Sequence, residues 1–161
     1  MNNSKFYSKT PIQRKYQLRS IYYLPLLLII FLYSVLPAQK ITSFKIVVHK
    51  SNPVDTMTRD EISRLFLKKN PQWKNGVKTI PVDIVSSNPL REIFSQCIHL
   101  KAQSVIKIYW QKKIYAGTDI PPAEKTGDNE VLDFVSNHAG AIGYVSSRAD
   151  LDAVKEIQIT K

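Results

Sequence analysis

Beyond residue 43, the hydrophobic pattern of the chain switches repeatedly between the two-residue period of strands and the 3.6-residue period of helices. A chain that alternates in this way folds as an α/β domain, with helices packed on a sheet. The patterns predict strands at 44–49, 80–85, 141–145 and 156–159, and helices at 58–66, 89–98, 102–114 and 128–139.

The first 38 residues predict an export signal. Residues 1–20 carry five basic residues and no acidic one, and an almost unbroken apolar run follows at 21–36. That run is shorter than the roughly 20 residues of a spanning helix, which favours cleavage after Ala38. The large Leu36 near that bond leaves an uncleaved inner-membrane anchor as the alternative. In both cases we expect 39–161 to form a single periplasmic domain.

The charge of the chain argues against nucleic-acid binding. Its net charge is +10, and five of its 23 basic residues belong to the predicted leader. The other basic residues are spread along the sequence, whereas nucleic-acid binding requires a clustered basic face with aromatic residues. We expect a mildly basic surface that favours anionic ligands or lipid head groups.

The turn after the second predicted strand has the composition of an anion site. It is rich in hydroxyl groups and leads into a helix with Arg91 in its first turn. Unpaired N–H groups and the helix dipole stabilise an anion at such a helix start, and Ser86, Ser87 and Arg91 could add donors and charge. The same segment fits ordinary helix capping, because Asn88 is a good N-cap and a proline follows it. The sequence leaves both interpretations open.

Short motifs extend over nearly the whole chain after the leader. They are Val47-Val48, Ser51-Asn52-Pro53-Val54, Leu65-Phe66-Leu67-Lys68-Lys69, Trp73, Pro81-Val82, Arg91-Glu92 with Phe94, Tyr109-Trp110, Ala116-Gly117, Pro121-Pro122 and Gly140-Ala141-Ile142-Gly143-Tyr144-Val145. The motifs occur in the order in which they occur in phosphate ABC transporter substrate-binding proteins, so the chain resembles that family. The last motif is the one most specific to the family. The resemblance implies a three-layer αβα sandwich, one lobe of a type 2 periplasmic-binding-protein fold, in a small exported single-lobe member.

The resemblance also implies a binding site for inorganic phosphate or a similar anion. Arg91 would supply charge and the hydroxyl-rich turn would supply hydrogen bonds. Ser51 and Asn52 would line the same edge if their strand lies beside the strand at 80–85. The candidate ligand-binding residues are therefore Ser86, Ser87, Asn88, Arg91, Ser51 and Asn52, with the hydroxyl of Tyr144 as a secondary candidate.

Three features depart from the family pattern, and the first is Lys68, which stands where the family often has glycine after Phe-Leu. In full-length phosphate binders the turn before the arginine resembles Ser-Gly-Thr. In this chain the same turn is Asn88-Pro89-Leu90, so it lacks a hydroxyl group and an N–H donor. One lobe also supplies only half of a closing cleft, so a ligand buried on all sides would need a partner chain or a homodimer.

These departures leave two functions open. The first is an exported phosphate or small-anion binding protein, linked to an ABC permease in uptake or sensing. The second is a periplasmic interaction module that has lost the ligand and binds an envelope or membrane protein.

Nothing in the sequence predicts catalysis, a metal site or a cofactor. The three histidines show no metal-ligand spacing, and the serines at 86–87 lack the sequence context of a hydrolase nucleophile. The single cysteine, Cys97, lies on the apolar face of a predicted helix, where we expect it to be a small buried residue. We therefore expect a binding protein, not an enzyme.

Overall fold

The computed structural model describes residues 43–160, and the predicted leader, its cleavage site and the alternative anchor lie outside them. The strands are β1 Phe44–Val48, β2 Thr56–Thr58, β3 Ile80–Ile84, β4 Ala123–Lys125, β5 Ala141–Ser146 and β6 Lys155–Thr160. The helices are α1 Arg59–Phe66, α2 Pro89–Phe94, α3 Gln103–Tyr115 and α4 Asp128–Ser136, and a π-helical turn Ser95–His99 continues α2. None of these helices is long and apolar enough to cross a membrane.

The six strands form one mixed sheet in the order β2, β6, β1, β5, β3, β4. β3 is parallel to β4 and β5, and β2 is parallel to β6, whereas β1 is antiparallel to both of its neighbours. The carboxyl ends of β3, β4 and β5 therefore lie at one end of the sheet, which we call the carboxyl edge. The carboxyl end of β1 lies at the opposite end.

Alternating side chains of β5 contact a helix layer on each face of the sheet. The Tyr144 ring stacks on Phe94 with 3.8 Å between centroids, and Phe66 of α1 packs beside it. The neighbouring Gly143 faces Val131 of α4 on the other side. The predicted three-layer αβα sandwich is thus confirmed, and both helix layers bury apolar surface against the same strand.

The π-helical turn changes which side chains of the α2 segment face the core. The prediction that Cys97 is buried was wrong, because its side chain is exposed. A π-helical turn holds more residues than an α-helical turn, so it rotates the following side chains away from the α-helical phase. Ile98 and His99 are the residues that become buried.

His99 makes the stability of the domain depend on pH. Its Nδ1 lies 2.8 Å from Ser63 Oγ, and its ring packs edge-on against Phe94. Burial, and then the positive charges of Arg91 and Lys69, lower the pKa of His99 from 6.5 to about 4. The unfolded chain therefore binds a proton on the His99 imidazole more readily than the folded domain does. The stability that neutral His99 contributes above pH 6.5 is lost as the pH falls toward 4.

Between pH 6.5 and pH 5 we expect the protonation of His99 to lower the free energy of unfolding by about 1.6 kcal/mol. Urea denaturation at several pH values measures the effect, with His99→Gln as the comparison. The variant should lose most of this slope. An equal slope in both proteins would assign the pH dependence to other groups.

Candidate functional site at the carboxyl edge

The chain leaves β3 through a tight turn at the carboxyl edge. The Asn88 N–H donates to the Val85 carbonyl oxygen (3.0 Å), which closes the turn around Ser86 and Ser87. Both serines are exposed, and their N–H and hydroxyl groups have no hydrogen-bond partner among the described residues. The turn therefore presents backbone and side-chain donors to solvent.

Asn88 caps the start of α2. Its side-chain oxygen accepts from the Leu90 N–H (3.0 Å), and its carbonyl oxygen accepts from the Arg91 N–H (3.1 Å). Pro89 occupies the first helical position and has no N–H. The first amides of α2 are therefore already satisfied, as the capping interpretation predicts, and they are not free to bind an anion.

Arg91 points into the domain and is only 7% exposed. Its Nη1 forms an ion pair with the buried Asp83, donates to the Ile84 carbonyl oxygen (2.7 Å) and lies 3.8 Å from Glu124 Oε1. Asp83 also accepts from the Tyr144 hydroxyl (2.6 Å). We call Asp83, Arg91 and Tyr144 the Asp83 cluster. Within it the charge of Arg91 is largely neutralised.

Burial controls the ionisation of the Asp83 cluster. It raises the pKa of Asp83, while the positive charge of Arg91 opposes the rise. Burial and then the negative charge of Asp83 also raise the pKa of Tyr144 above its usual value, which keeps the hydroxyl protonated as a donor. Tyr144 is fully buried, so its hydroxyl does not lie at the edge of a cleft, where a role in ligand binding would place it.

Ser51 and Asn52 are not brought together with the serine turn. They follow β1, which runs antiparallel to β5 and is separated from β3 by that strand. They therefore lie at the opposite end of the sheet. There Ser51 Oγ lies 2.7 Å from His49 Nδ1, and the Asn52 side chain accepts from the Val54 N–H (2.9 Å), so both residues build a local turn.

A cavity of about 460 Å³ also lies at the carboxyl edge. Its lining residues are Asn88, Leu90, Thr126, Gly127, Asp128, Asn129, Glu130 and Ser146. The Asn88 side chain donates to the Thr126 carbonyl oxygen (3.2 Å) and so connects the serine turn to the loop before α4. Most of this lining was not among the predicted site residues, because it comes from the segment after β4 and from the end of β5.

The cavity offers both donors and acceptors. The N–H groups of residues 128–130 at the start of α4 have no partner in the described part of the chain. Asp128 accepts from the N–H and hydroxyl of Ser146, and Glu130 accepts from those of Thr126. Free amides favour an anion at this helix start, whereas the two carboxylates repel one.

No family model matches the sequence, and no curated protein is significantly similar to it. Among solved structures, a substrate-binding protein of the phosphate ABC transporter type from Clostridium perfringens, determined with bound phosphate, matches 72% of this chain at 20% identity with a TM-score of 0.59. An ABC-type phosphate transport receptor from Vibrio cholerae matches 72% at 20% identity with a TM-score of 0.58.

The chain spans less than half the length of these two proteins, 44% and 45% respectively. At this identity the likeness shows the fold alone. The implied fold, one lobe of the periplasmic-binding-protein type, is therefore confirmed. The ligand and partners are a separate question.

Proposed function

We propose that the domain is an exported receptor lobe that binds phosphate, or a related oxyanion that carries a proton, at the carboxyl edge. One observation carries this proposal: the free N–H and hydroxyl groups of Ser86 and Ser87, in the turn that Asn88 connects to the cavity. Ligands of open α/β sheets gather at such an edge. The shared fold with phosphate receptors adds support, and a role in uptake or sensing with an ABC permease follows from it.

The residues of the turn have different roles in this proposal. Ser86 and Ser87 donate to the anion, and Asn88 holds the turn against Thr126. Arg91 acts from inside the domain, because it neutralises Asp83 and so removes a negative charge from beneath the site. Because no basic side chain is among the described residues that line the cavity, and because one face of the ligand is open, we expect a dissociation constant on the order of 1 mM.

The carboxylates of the cavity favour phosphate over sulfate. Asp128 and Glu130 can accept a hydrogen bond from a ligand that still carries a proton. Phosphate carries a proton near neutral pH and can donate it to these carboxylates. Sulfate carries no proton, so the carboxylates only repel it. A site with both amide donors and carboxylate acceptors therefore discriminates by protonation.

Calorimetric titration of the chain from residue 39 tests this proposal. We expect saturable phosphate binding that is at least about tenfold tighter than sulfate binding, and a roughly tenfold loss in Ser86→Ala/Ser87→Ala, because two neutral hydrogen bonds disappear. Ser104→Ala, at an exposed serine of α3, is the matched control and should bind normally. Equal affinities in the double variant and the control would contradict the assignment.

A second function, an interaction module that has lost the ligand, is favoured by the charge of the site. Within the Asp83 cluster the carboxylate of Asp83 neutralises Arg91, while Asp128 and Glu130 make the cavity acidic. A protein partner or a second copy of the chain would then cover the carboxyl edge. Absence of phosphate heat would support this function if light scattering showed a homodimer, or if one envelope protein co-eluted stoichiometrically and was lost in Asp128→Asn.

A further inference from the structure

The segment 100–115, which contains α3, is basic and apolar at the same time. It has four lysines and no acidic residue. The acidic groups beside it are already bound, because Glu92 accepts from the Gln103 N–H (3.0 Å) and Asp119 lies 3.6 Å from Lys68 Nζ. The lysines are Lys101, Lys107, Lys112 and Lys113.

α3 is apolar on both of its faces. Ile106 and Trp110 are buried against the domain. On the outer side Val105 is 44% exposed, Ile108 51% and Tyr115 90%. A helix with apolar residues all round has a second apolar surface to cover.

Three of the four large apolar residues that α3 exposes lie on one line, and the fourth, Ile114, lies off it. At helical spacing, positions 105, 108, 112 and 115 fall on one face. We call Val105, Ile108, Lys112 and Tyr115 the outer stripe, and Lys107 flanks it. Just before the helix, Leu100 is 62% exposed and adopts the left-handed conformation (φ 53°), which is unfavourable for leucine. This conformation ends the π-helical turn and leaves the leucine side chain in solvent.

We propose that the outer stripe lies on the surface of a lipid bilayer that contains anionic lipids. Lysines that alternate with aliphatic and aromatic side chains suit this surface, because the stems and rings enter the head-group region while the ammonium groups meet lipid phosphates. Protein interfaces, by contrast, are depleted in lysine. The charge of the segment is therefore complementary to anionic lipids.

The N-terminal sequence brings the domain within reach of a bilayer. The apolar run at 21–36 ends eight residues before Phe44, and eight extended residues span at most about 28 Å. A leader that remains uncut would therefore keep Phe44, where β1 begins, within about 28 Å of the end of the apolar run. The outer stripe and the anion site use different residues, although Gln103 at the start of α3 donates to the Ser86 carbonyl oxygen (3.3 Å).

The full chain in lipid vesicles tests the proposal through a probe in the outer stripe. Cys97→Ser removes the single cysteine, and Tyr115→Cys then carries an environment-sensitive fluorophore. Ile159→Cys, at an exposed apolar residue of β6, is the matched control position. Quenching by iodide reports whether each probe is covered.

We expect vesicles with anionic lipid to lower iodide quenching at position 115 at least threefold and to leave position 159 unchanged. Lys107→Gln/Lys112→Gln should weaken the contact about 25-fold, since each lysine near an anionic surface contributes roughly a fivefold factor. Exchange of the exposed Lys74 and Lys78 to glutamine should have little effect.

Three results would overturn the proposal. The first is equal protection by purely zwitterionic vesicles, and the second is equal protection at both probe positions. The third is protection without vesicles together with a sedimenting dimer, which would mean that a second copy covers the stripe. Thermal melting of each variant confirms that the fold is intact in these comparisons.

Discussion

Arg91→Ala is expected to lower the free energy of unfolding by about 3–5 kcal/mol, because it leaves the buried Asp83 carboxylate without its cation. The Arg91 guanidinium is the charged partner of Asp83 inside the domain, and Tyr144 adds only a neutral hydrogen bond. Neither the carboxylate nor the tyrosine hydroxyl can turn to water, since both residues are buried. Urea denaturation of the chain from residue 39 measures the loss.

A paired exchange separates lost packing from lost charge. Asp83→Leu/Arg91→Met removes both charges and keeps apolar volume, so it should recover most of the stability that Arg91→Ala loses. A loss below about 1 kcal/mol in Arg91→Ala would mean that the arginine faces solvent instead. Because Arg91 supports the fold, the two serines of the turn are the better positions for a test of binding.

Gly140→Ala is expected to destabilise the domain by at least about 3 kcal/mol, at or beyond the upper end of typical overpacking costs. A Cβ at this position would lie 2.1 Å from the Lys78 carbonyl oxygen. That oxygen belongs to the backbone, so it cannot move aside as a side chain would. The Gly140 carbonyl oxygen also accepts from the Ile80 N–H and from Trp73 Nε1, both at 2.9 Å, so a shift would strain these bonds.

Gly127→Ala is the matched control for Gly140→Ala. Its Cβ would meet nothing within 4 Å and its backbone is extended (φ −175°), so only the weaker capping by alanine at this N-cap should cost stability, at most about 1 kcal/mol. Thermal or urea unfolding of both variants tests the contrast. Similar losses in the two variants would contradict the close approach at Gly140.

Elements with strong local signals were predictable from the sequence. Thr58 and Glu61 form the reciprocal hydrogen bonds of a capping box at the start of α1, and Asn88 caps α2. The strands β1, β3, β5 and β6 follow from their apolar runs. β2 and β4 were not predicted, because three residues are too few to show a period.

Long-range pairing decided what the sequence could not predict. The direction of β1, which places Ser51 and Asn52 far from the serine turn, depends on its neighbours in the sheet. The orientation of Arg91 depends on Asp83 and on Tyr144, which is distant in sequence. An aspartate within the apolar strand 80–85 was an available signal, because a buried carboxylate requires a partner. The outer stripe was missed because α3 is apolar on both faces.

The most direct test of the proposed anion site is a phosphate titration of the isotopically labelled chain from residue 39, followed by amide chemical shifts. The proposal predicts saturable shifts centred on Ser86, Ser87 and the start of α4, with half-saturation on the order of 1 mM. The shifts should be much weaker with sulfate. A folded spectrum that phosphate leaves unchanged at about 20-fold that concentration, or that shifts only elsewhere, would contradict an anion site at the carboxyl edge.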